Sequence, residues 1–587
     1  MSHNIKKQNF ISLIRNAKIY FRGKQKSHII VYFCFLVGFN CTTYVISQSR
    51  IFGTLPILKP TTNVEYTDKN LNHTKEYEHI LKIYTKLVNS RGDFRYPIPA
   101  LYLREEEAYV ASINYNNLAI TIEKKAYDVC QKFGDIGIAF LLAHELTHYY
   151  EKHAWKSDFV YELGDLEIAK NLKETNDQIM NETQADYLGG FLAYSAGFGL
   201  FDNGKALIDS LYAAYKRPEK LQGYPSKSDR IKMAEKSGQK IAQLADIFEV
   251  ANFMSAVGQY DNAFQLYKHI LMQYQSRELY NNTGHAAVMN AMTYFDKDSL
   301  KYQYVSEIDL DFKGARSAAK TRDSILRQAI QYFDAAISLD PAYVPAYLNK
   351  ANAYAMLNED AKANFYLENE AVPVFKKAGK DFIKTESDIH VLRGILFDKL
   401  GKKVEAISEF DKAIAMNNSA AVYNKNVVLG ITNPKSPMTK SWNCLKEPIG
   451  TMTLETYFRS PTHIPKKEVQ LNNASTLRQS GGKKDFKIYN FTTGSAQKLR
   501  SVFLSTSVDY EGLAIGGIKK GSSADEIDTI LGRPDAIIST TNGTLMVFEG
   551  SKNDQGKVLD ENKIIFVMDE MNVVKKWIYY SSKLVIN

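Results

Sequence analysis

The residues best arranged to do chemistry are His144 and His148, four positions apart, with Glu145 directly after the first. On a helix, positions i and i+4 share a face, so both imidazoles can reach one tetrahedral Zn²⁺. Glu145 is turned from His144 by about 100° and can address a water on the ion, whose pKa the metal lowers toward ~7. The chemistry implied is general-base activation of water for attack on an electrophilic carbonyl. A pattern that fixes three positions arises by chance in on the order of one such chain in a hundred. The neighbouring sequence has to decide.

Upstream, residues 136–143 are an apolar run without a breaker, which suits a buried helix carrying its ligands inward. Downstream, Tyr149-Tyr150-Glu151-Lys152 continues to His153 and Trp155. A third ligand is offered 34 residues after His148 by Asn181-Glu182-Thr183-Gln184-Ala185-Asp186-Tyr187-Leu188-Gly189-Gly190, where Glu182 and Asp186 are again i and i+4. Glu182 can complete a three-residue shell and leave the fourth position to water, while Asp186 can accept a hydrogen bond from the far nitrogen of a ligand histidine and fix its tautomer.

These two stretches together, H-E-L-T-H-Y-Y-E-K-H and E-T-Q-A-D-Y-L-G-G, resemble the gluzincin zinc metallopeptidases of the HtpX and BepA type. The resemblance covers roughly residues 75–240 and implies an α+β zincin-like domain with one Zn²⁺ per chain. It gives His144, His148 and Glu182 as ligands, Glu145 as general base and Asp186 behind the ligands. Tyr224-Pro225-Ser226-Lys227-Ser228-Asp229-Arg230-Ile231 is similar to that family's H-P-x-x-x-x-R-I segment, with Tyr224 in place of the histidine. Tyr224 and Arg230 are therefore the expected donors to the oxyanion that water attack creates. The family's usual Asn-Ala-Phe element is absent, and the interval between the two motifs is short.

The elements that must position these residues are legible from periodicity. Tyr77, Ile80, Leu81, Tyr84, Leu87 and Val88 fall at helical spacing ahead of Arg91-Gly92. Residues 100–103, 109–113 and 118–122 read as short strands, the last two joined by a turn at 114–117. An edge strand beside the site helix can pair with an extended peptide, or the strands can serve only as support.

At 587 residues the chain is long enough for about three or four domains. Its net charge of +9 is misleading, because Lys6, Lys7, Arg15, Lys18, Arg22, Lys24 and Lys26 stand in the first 26 residues without an acid. Nine less these seven leaves +2 from Gln48 onward, which removes the argument for nucleic-acid binding. That basic stretch runs into the apolar 29–39, with Val45 and Ser47 at cleavage-site spacing. The expectation is a signal peptide over 1–47 and a periplasmic protein; the alternative is a membrane anchor through 29–46, with the domains outside the cytoplasm. Cys41 lacks the small preceding residues of a lipidation site. Cys130 and Cys444 then remain, and Cys130 reads as core packing.

Beyond about residue 240 the pattern changes to paired helices. Segments 247–274, 329–367 and 389–417 place small and aromatic residues as tetratricopeptide repeats do, most clearly at Gly394, Leu400, Gly401, Ala406, Phe410 and Ala413. Asp340-Pro341 closes one repeat, Gly284-His285 marks a degenerate one, and 298–325 reads as an insertion. Such arrays offer a groove to peptides or partner proteins, or serve as a scaffold. Residues 432–484 collect five prolines and Gly481-Gly482 and read as a linker. In 485–587, strands at 486–491, 545–548, 564–568 and 573–580 surround a helix at 523–531; Gly532-Arg533-Pro534 resembles the small outer-membrane lipoproteins of the SmpA type.

The expected architecture is thus multidomain and mainly α: signal peptide 1–47, metallopeptidase 48–240, α-solenoid of tetratricopeptide repeats 241–431, linker 432–484 and a small α+β domain 485–587. The expected function is an exported zinc endopeptidase whose repeats select protein or peptide substrates, in envelope-protein quality control as the resemblance implies. The competing expectation is a non-catalytic repeat-based binding or assembly scaffold with a structural zinc.

Overall fold

The helix expected around Tyr77–Val88 forms as α1 (Lys75–Arg91), which Thr74 caps by accepting from the Tyr77 N–H at 3.3 Å and which ends at Gly92 in the left-handed region, φ 57°. In this computed structural model the described residues are 71–106, 109–115, 117–153, 177–220, 226–295, 301–304, 318–378, 383–432, 448–449, 452–453, 467–472, 475–480, 486–493, 497–540, 543–550, 561–569 and 571–586. They all belong to one compact unit, Asp68–Asn587. The expected signal or anchor in 1–47, Tyr224 and Cys444 lie outside the described residues. Among the described residues no helix is long and apolar enough to cross a membrane.

Three short strands follow, β1 (Ala100–Arg104), β2 (Ala111–Asn114) and β3 (Ala119–Glu123), in the order β1-β3-β2. β1 runs parallel and β2 antiparallel to β3, so β2 is an edge. Leu101, Leu103, Ile120 and Ile122 turn inward and give α1 and the later helices an apolar surface. After α2 (Lys124–Gln131), α3 (Asp135–Tyr150) carries the histidine pair. Its apolar sequence explains its position: from Ile138 to Thr147 every residue except Phe140 is buried.

α4 (Asp177–Ala193) lies directly on α3, and Gly189 is what permits this. A Cβ there would stand 2.9 Å from the backbone carbonyl of Ala143 and the nitrogen of His144. After a π-helical turn at Tyr194–Phe198 and α5 (Gly204–Ala214) comes α6 (Lys227–Ala256), thirty residues long. The boundary expected at 240/241 falls inside α6. The helix begins at the histidine site and ends among the repeats, so the two regions share one rigid element.

The repeats pack as helix pairs. α6 pairs with α7 (Tyr260–Leu271), α8 (Arg277–Met292) with α9 (Ala318–Leu339), and α10 (Val344–Met356) with α11 (Asp360–Phe365), which continues through a π-helical turn at Tyr366–Ala371 into α12 (Val372–Ala378). α13 (Ile383–Lys399) pairs with α14 (Lys403–Ala415), and α15 (Ser419–Leu429) follows. One device recurs: Gly394 of α13 faces the Phe410 ring of α14, and Gly284 of α8 faces the Phe333 ring of α9. At either glycine a Cβ would lie 2.6 Å from the ring. The matching contact makes α8 and α9 the two halves of one repeat. The insertion expected over 298–325 therefore sits inside that repeat, and it ends earlier than expected because α9 begins at Ala318.

The expected linker at 432–484 is corrected by the sheet that follows. Besides the short pair β4 (Pro448–Ile449) and β5 (Met452–Thr453), β6 (Lys467–Asn472) and β7 (Ser475–Ser480) fall inside that stretch and join β8 (Phe486–Thr493) and β9 (Gln497–Thr506). With β10 (Ala536–Thr540), β11 (Gly543–Glu549), β12 (Glu561–Met568) and β13 (Val574–Ile586) they make one antiparallel sheet, β10-β11-β12-β13-β9-β8-β7-β6. Alternation along β13 gives the sheet two faces. Trp577 and Tyr579 pack with Ile527 and Leu531 of α16 (Ala524–Leu531), whose capping box is Ser523 with Glu526. Ile578 and Tyr580 turn the other way, where Phe503 and Tyr489 meet Phe253 of α6.

Candidate metal centre

Helix geometry brings the sequence-predicted ligands together. His144 and His148 rise from α3, and Glu182 comes from α4. The His144 and His148 Nε2 atoms are 3.0 Å apart, His144 Nε2 is 3.6 Å from one Glu182 oxygen, and His148 Nε2 is 3.5 Å from the other. Among the described residues this is the one group of three that could hold a metal ion. Zinc at ~2.0 Å from each ligand in a tetrahedral shell separates its ligand atoms by about 3.3 Å. The three spacings bracket that value, and the donor set of two imidazoles and a carboxylate fits zinc.

Hydrogen bonds behind the ligands fix where the protons sit. Asp186 Oδ1 is 2.8 Å from His144 Nδ1, so the ring proton belongs on Nδ1 and the Nε2 lone pair faces the cluster. The corresponding partner of His148 is His153, with the two Nδ1 atoms 2.7 Å apart. His153 Nε2 is 3.2 Å from Gln184 Oε1, the Gln184 amide donates to Glu151 at 3.1 Å, and Arg91 donates to the other Glu151 oxygen at 3.3 Å. Only one direction satisfies every member: His148 donates to His153, which donates to Gln184. His148 then also presents a bare Nε2. Burial holds its pKa down to about 2, and the Arg230 charge, like any positive charge on the neighbouring imidazoles, acts in the same direction.

Glu145, expected as the general base, is 8% exposed on the same helix and accepts a hydrogen bond from the backbone N–H of Ile113. Ile113 lies on β2, an edge of the three-stranded sheet among the described residues, so the base is adjacent to that strand. Burial lifts the Glu145 carboxyl to about 7, with Glu182 pushing the same way against the pull of His144 and Arg230. A base titrating near neutrality is well matched to proton transfer. Tyr115, at the end of β2, donates to the His148 carbonyl at 2.9 Å and ties the strand to α3.

Arg230 is half-buried near the start of α6 and faces the carboxylates of α4. Its Nη1 donates to Glu182 and its Nη2 lies 3.7 Å from Asp186. The guanidinium is thus engaged with both carboxylates of α4. The same charge and the His144 ring hold Asp186 ionised, overcoming the upward push of its burial. Three participants carried no role in the sequence reading: His153, Gln184 and Gly189. All lie inside the quoted motifs, so residue type was visible while function was not.

No family model matches the sequence, and no curated protein matches it. Solved structures that overlap the fold include a thermophilic tetratricopeptide-repeat protein of Thermus thermophilus, 17% identical over 39% of this chain and 98% of that chain, with a TM-score of 0.25. A tetratricopeptide-repeat protein of Parabacteroides merdae is 16% identical over 48% of this chain and 99% of that one, with a TM-score of 0.19. The human IFIT1 dimer with PPP-AAAA is 15% identical over 51% of this chain and 66% of that one, with a TM-score of 0.25.

Proposed function

We propose that this chain is an exported zinc-dependent endopeptidase, of the gluzincin kind its motifs resemble, acting on protein substrates that its helical repeats select. The observation that carries the proposal is the mutual spacing of His144, His148 and Glu182, 3.0 to 3.6 Å, with Glu145 beside them. Zinc held there would polarise a peptide carbonyl and acidify a water. The chain's own residues do the rest. Glu145 takes the proton of the attacking water and returns it to the departing amine. Asp186 and His153 hold the ligand rings in the tautomers that point lone pairs inward. Arg230 balances the charge of Glu182 and Asp186 and holds them on α4. From β2, the Ile113 N–H holds the Glu145 carboxylate in place.

The basic, then apolar, first 47 residues support a periplasmic location. The same apolar stretch, if retained, would give membrane association.

Metal analysis of the purified full chain, with casein cleavage by wild type and by Glu145→Gln, tests the reading. One zinc per chain in both proteins and cleavage only by wild type is the expected result. Zinc-loaded wild type that leaves casein and defined peptides intact would overturn it in favour of a repeat-based binding scaffold with a structural zinc.

A further inference from the structure

Residues 301–304, Lys-Tyr-Gln-Tyr, stand between α8 and α9 in sequence yet are held by α10, α13 and α15. The Gln303 N–H donates to Asn424 Oδ1, and the Asn424 amide donates back to the Gln303 carbonyl, both at 2.7 Å. Asn424, on α15, is fully buried. This reciprocal pair satisfies the backbone donor and acceptor of one residue whatever side chain it carries.

On either side of that residue the side chains supply selectivity. The Tyr302 hydroxyl donates to Asp398 Oδ2 at 2.6 Å, and the Lys301 ammonium is 2.7 Å from the same oxygen. Asp398 ends α13 almost wholly buried, so it needs such partners. The Tyr304 hydroxyl reaches the Ala355 carbonyl of α10 at 3.5 Å, and both tyrosines are buried. The chain bends at Tyr302, and the two tyrosines flank the clamped residue, Tyr302 toward α13 and Tyr304 toward α10. One main-chain clamp flanked by two side-chain sockets is a combination that gives affinity through the backbone and selectivity through the side chains.

We infer that the face of α10, α13 and α15 is a binding site for a short protein segment of the pattern basic-aromatic-x-aromatic, and that residues 301–304 occupy it until such a segment displaces them. The inference rests on the substrate-selecting role proposed for the repeats and is independent of the zinc chemistry. Because the resident segment is tethered on both sides, its effective concentration is on the order of millimolar, and an outside peptide competes poorly.

The test is binding of a labelled acetyl-Lys-Tyr-Gln-Tyr-amide probe to the full wild-type chain, to Tyr302→Ala/Tyr304→Ala, and to that variant with Asn424→Ala added. The double variant should bind the probe at least about tenfold more tightly than wild type, and Asn424→Ala should abolish the gain. Equal binding to wild type and double variant, or binding indifferent to Asn424, overturns the site. Should the double variant lose its helical circular dichroism, hydrogen exchange on wild type decides. Millimolar probe should speed exchange of the Gln303 amide, and unchanged protection overturns the site. A chain that cleaves casein but fails this test keeps the proposed function and loses the site; one that passes while failing to cleave keeps only the site.

Discussion

The Nδ1 atoms of His148 and His153 lie 2.7 Å apart, although five residues along a helix separate side chains by about 140°. The chain achieves the contact by leaving the helix. α3 ends at Tyr150, Glu151 caps it, and Lys152 takes a left-handed conformation, φ 56°, which swings His153 back over the ring of His148. A non-glycine residue in that region is uncommon, and here it accompanies a hydrogen bond to a predicted metal ligand.

Replacing His153 should therefore weaken metal binding without removing a ligand. His153→Ala should lower zinc affinity by about 10- to 100-fold, the usual cost of losing a group behind a ligand. His153→Asn, whose carbonyl can accept from His148, should recover part of it. Competition against a zinc-binding dye measures both. An unchanged affinity in His153→Ala would mean that His148 is oriented by α3 alone.

Two adjacent glycines separate a backbone constraint from a side-chain one. Gly189→Ala places a Cβ against the backbone of Ala143 and His144, which cannot yield without moving α4 and, with it, Glu182 and Asp186. Gly190→Ala meets the terminal methyl of Ile241, which can rotate away. The first should cost about 1–3 kcal/mol and reduce zinc affinity, while the second should lie at the low end of that range with affinity kept. Urea unfolding and zinc titration of the pair read the difference.

The repeat glycines should respond alike, because they do the same work 110 positions apart. Gly284→Ala and Gly394→Ala each drive a methyl into a buried phenylalanine ring, Phe333 or Phe410, at a cost of about 1–3 kcal/mol. Combining Gly394→Ala with Phe410→Leu should restore part of the loss by opening room for the methyl. Thermal unfolding of the single and paired variants checks this, and a neutral Gly284→Ala would show that α8 and α9 are not matched halves of a repeat.

What could be read in advance follows from how local the cause is. The ligand pairs were legible because coordination chemistry restricts residue type and the helix restricts spacing. The first and third strands were legible from alternation of Leu101 and Leu103, and of Ile120 and Ile122. His153 was in view without a role, since its contact depends on the backbone turn at Lys152. The pairing of Arg230 with Glu182 and Asp186 was not legible, because those carboxylates lie on a helix more than forty residues earlier. β6 and β7 escaped because their alternation is mostly polar, with Val469 and Leu477 the inward signals, and nearby prolines and glycines resemble a linker. Their place is fixed by pairing, β6 with β7 and β7 with β8.

The junction between the sheet and α6 should make stability depend on pH through Glu249. Burial alone would raise its carboxyl, but the Lys576 and Lys487 ammonium groups and the Tyr489 hydroxyl outweigh this and hold it below the ordinary 4.5. Tyr489 donates to Glu249 at 2.6 Å, Lys576 is 3.4 Å away, and Lys487 is 3.8 Å from Glu249 and 3.1 Å from Asp246. A carboxylate with a depressed folded-state pKa contributes stability that is fully present above its unfolded value and is lost as pH falls through the folded one. Wild type should therefore exceed Glu249→Gln in urea midpoint at pH 7. The gap should hold down to about pH 5 and close progressively below ~4.5. Lys576→Met should narrow the same gap at neutral pH by leaving Glu249 less well paired. A gap that stays constant from pH 7 to pH 3 would mean that the Glu249 charge does not hold the sheet against α6, and that Phe253, Phe503 and Tyr580 do so by packing.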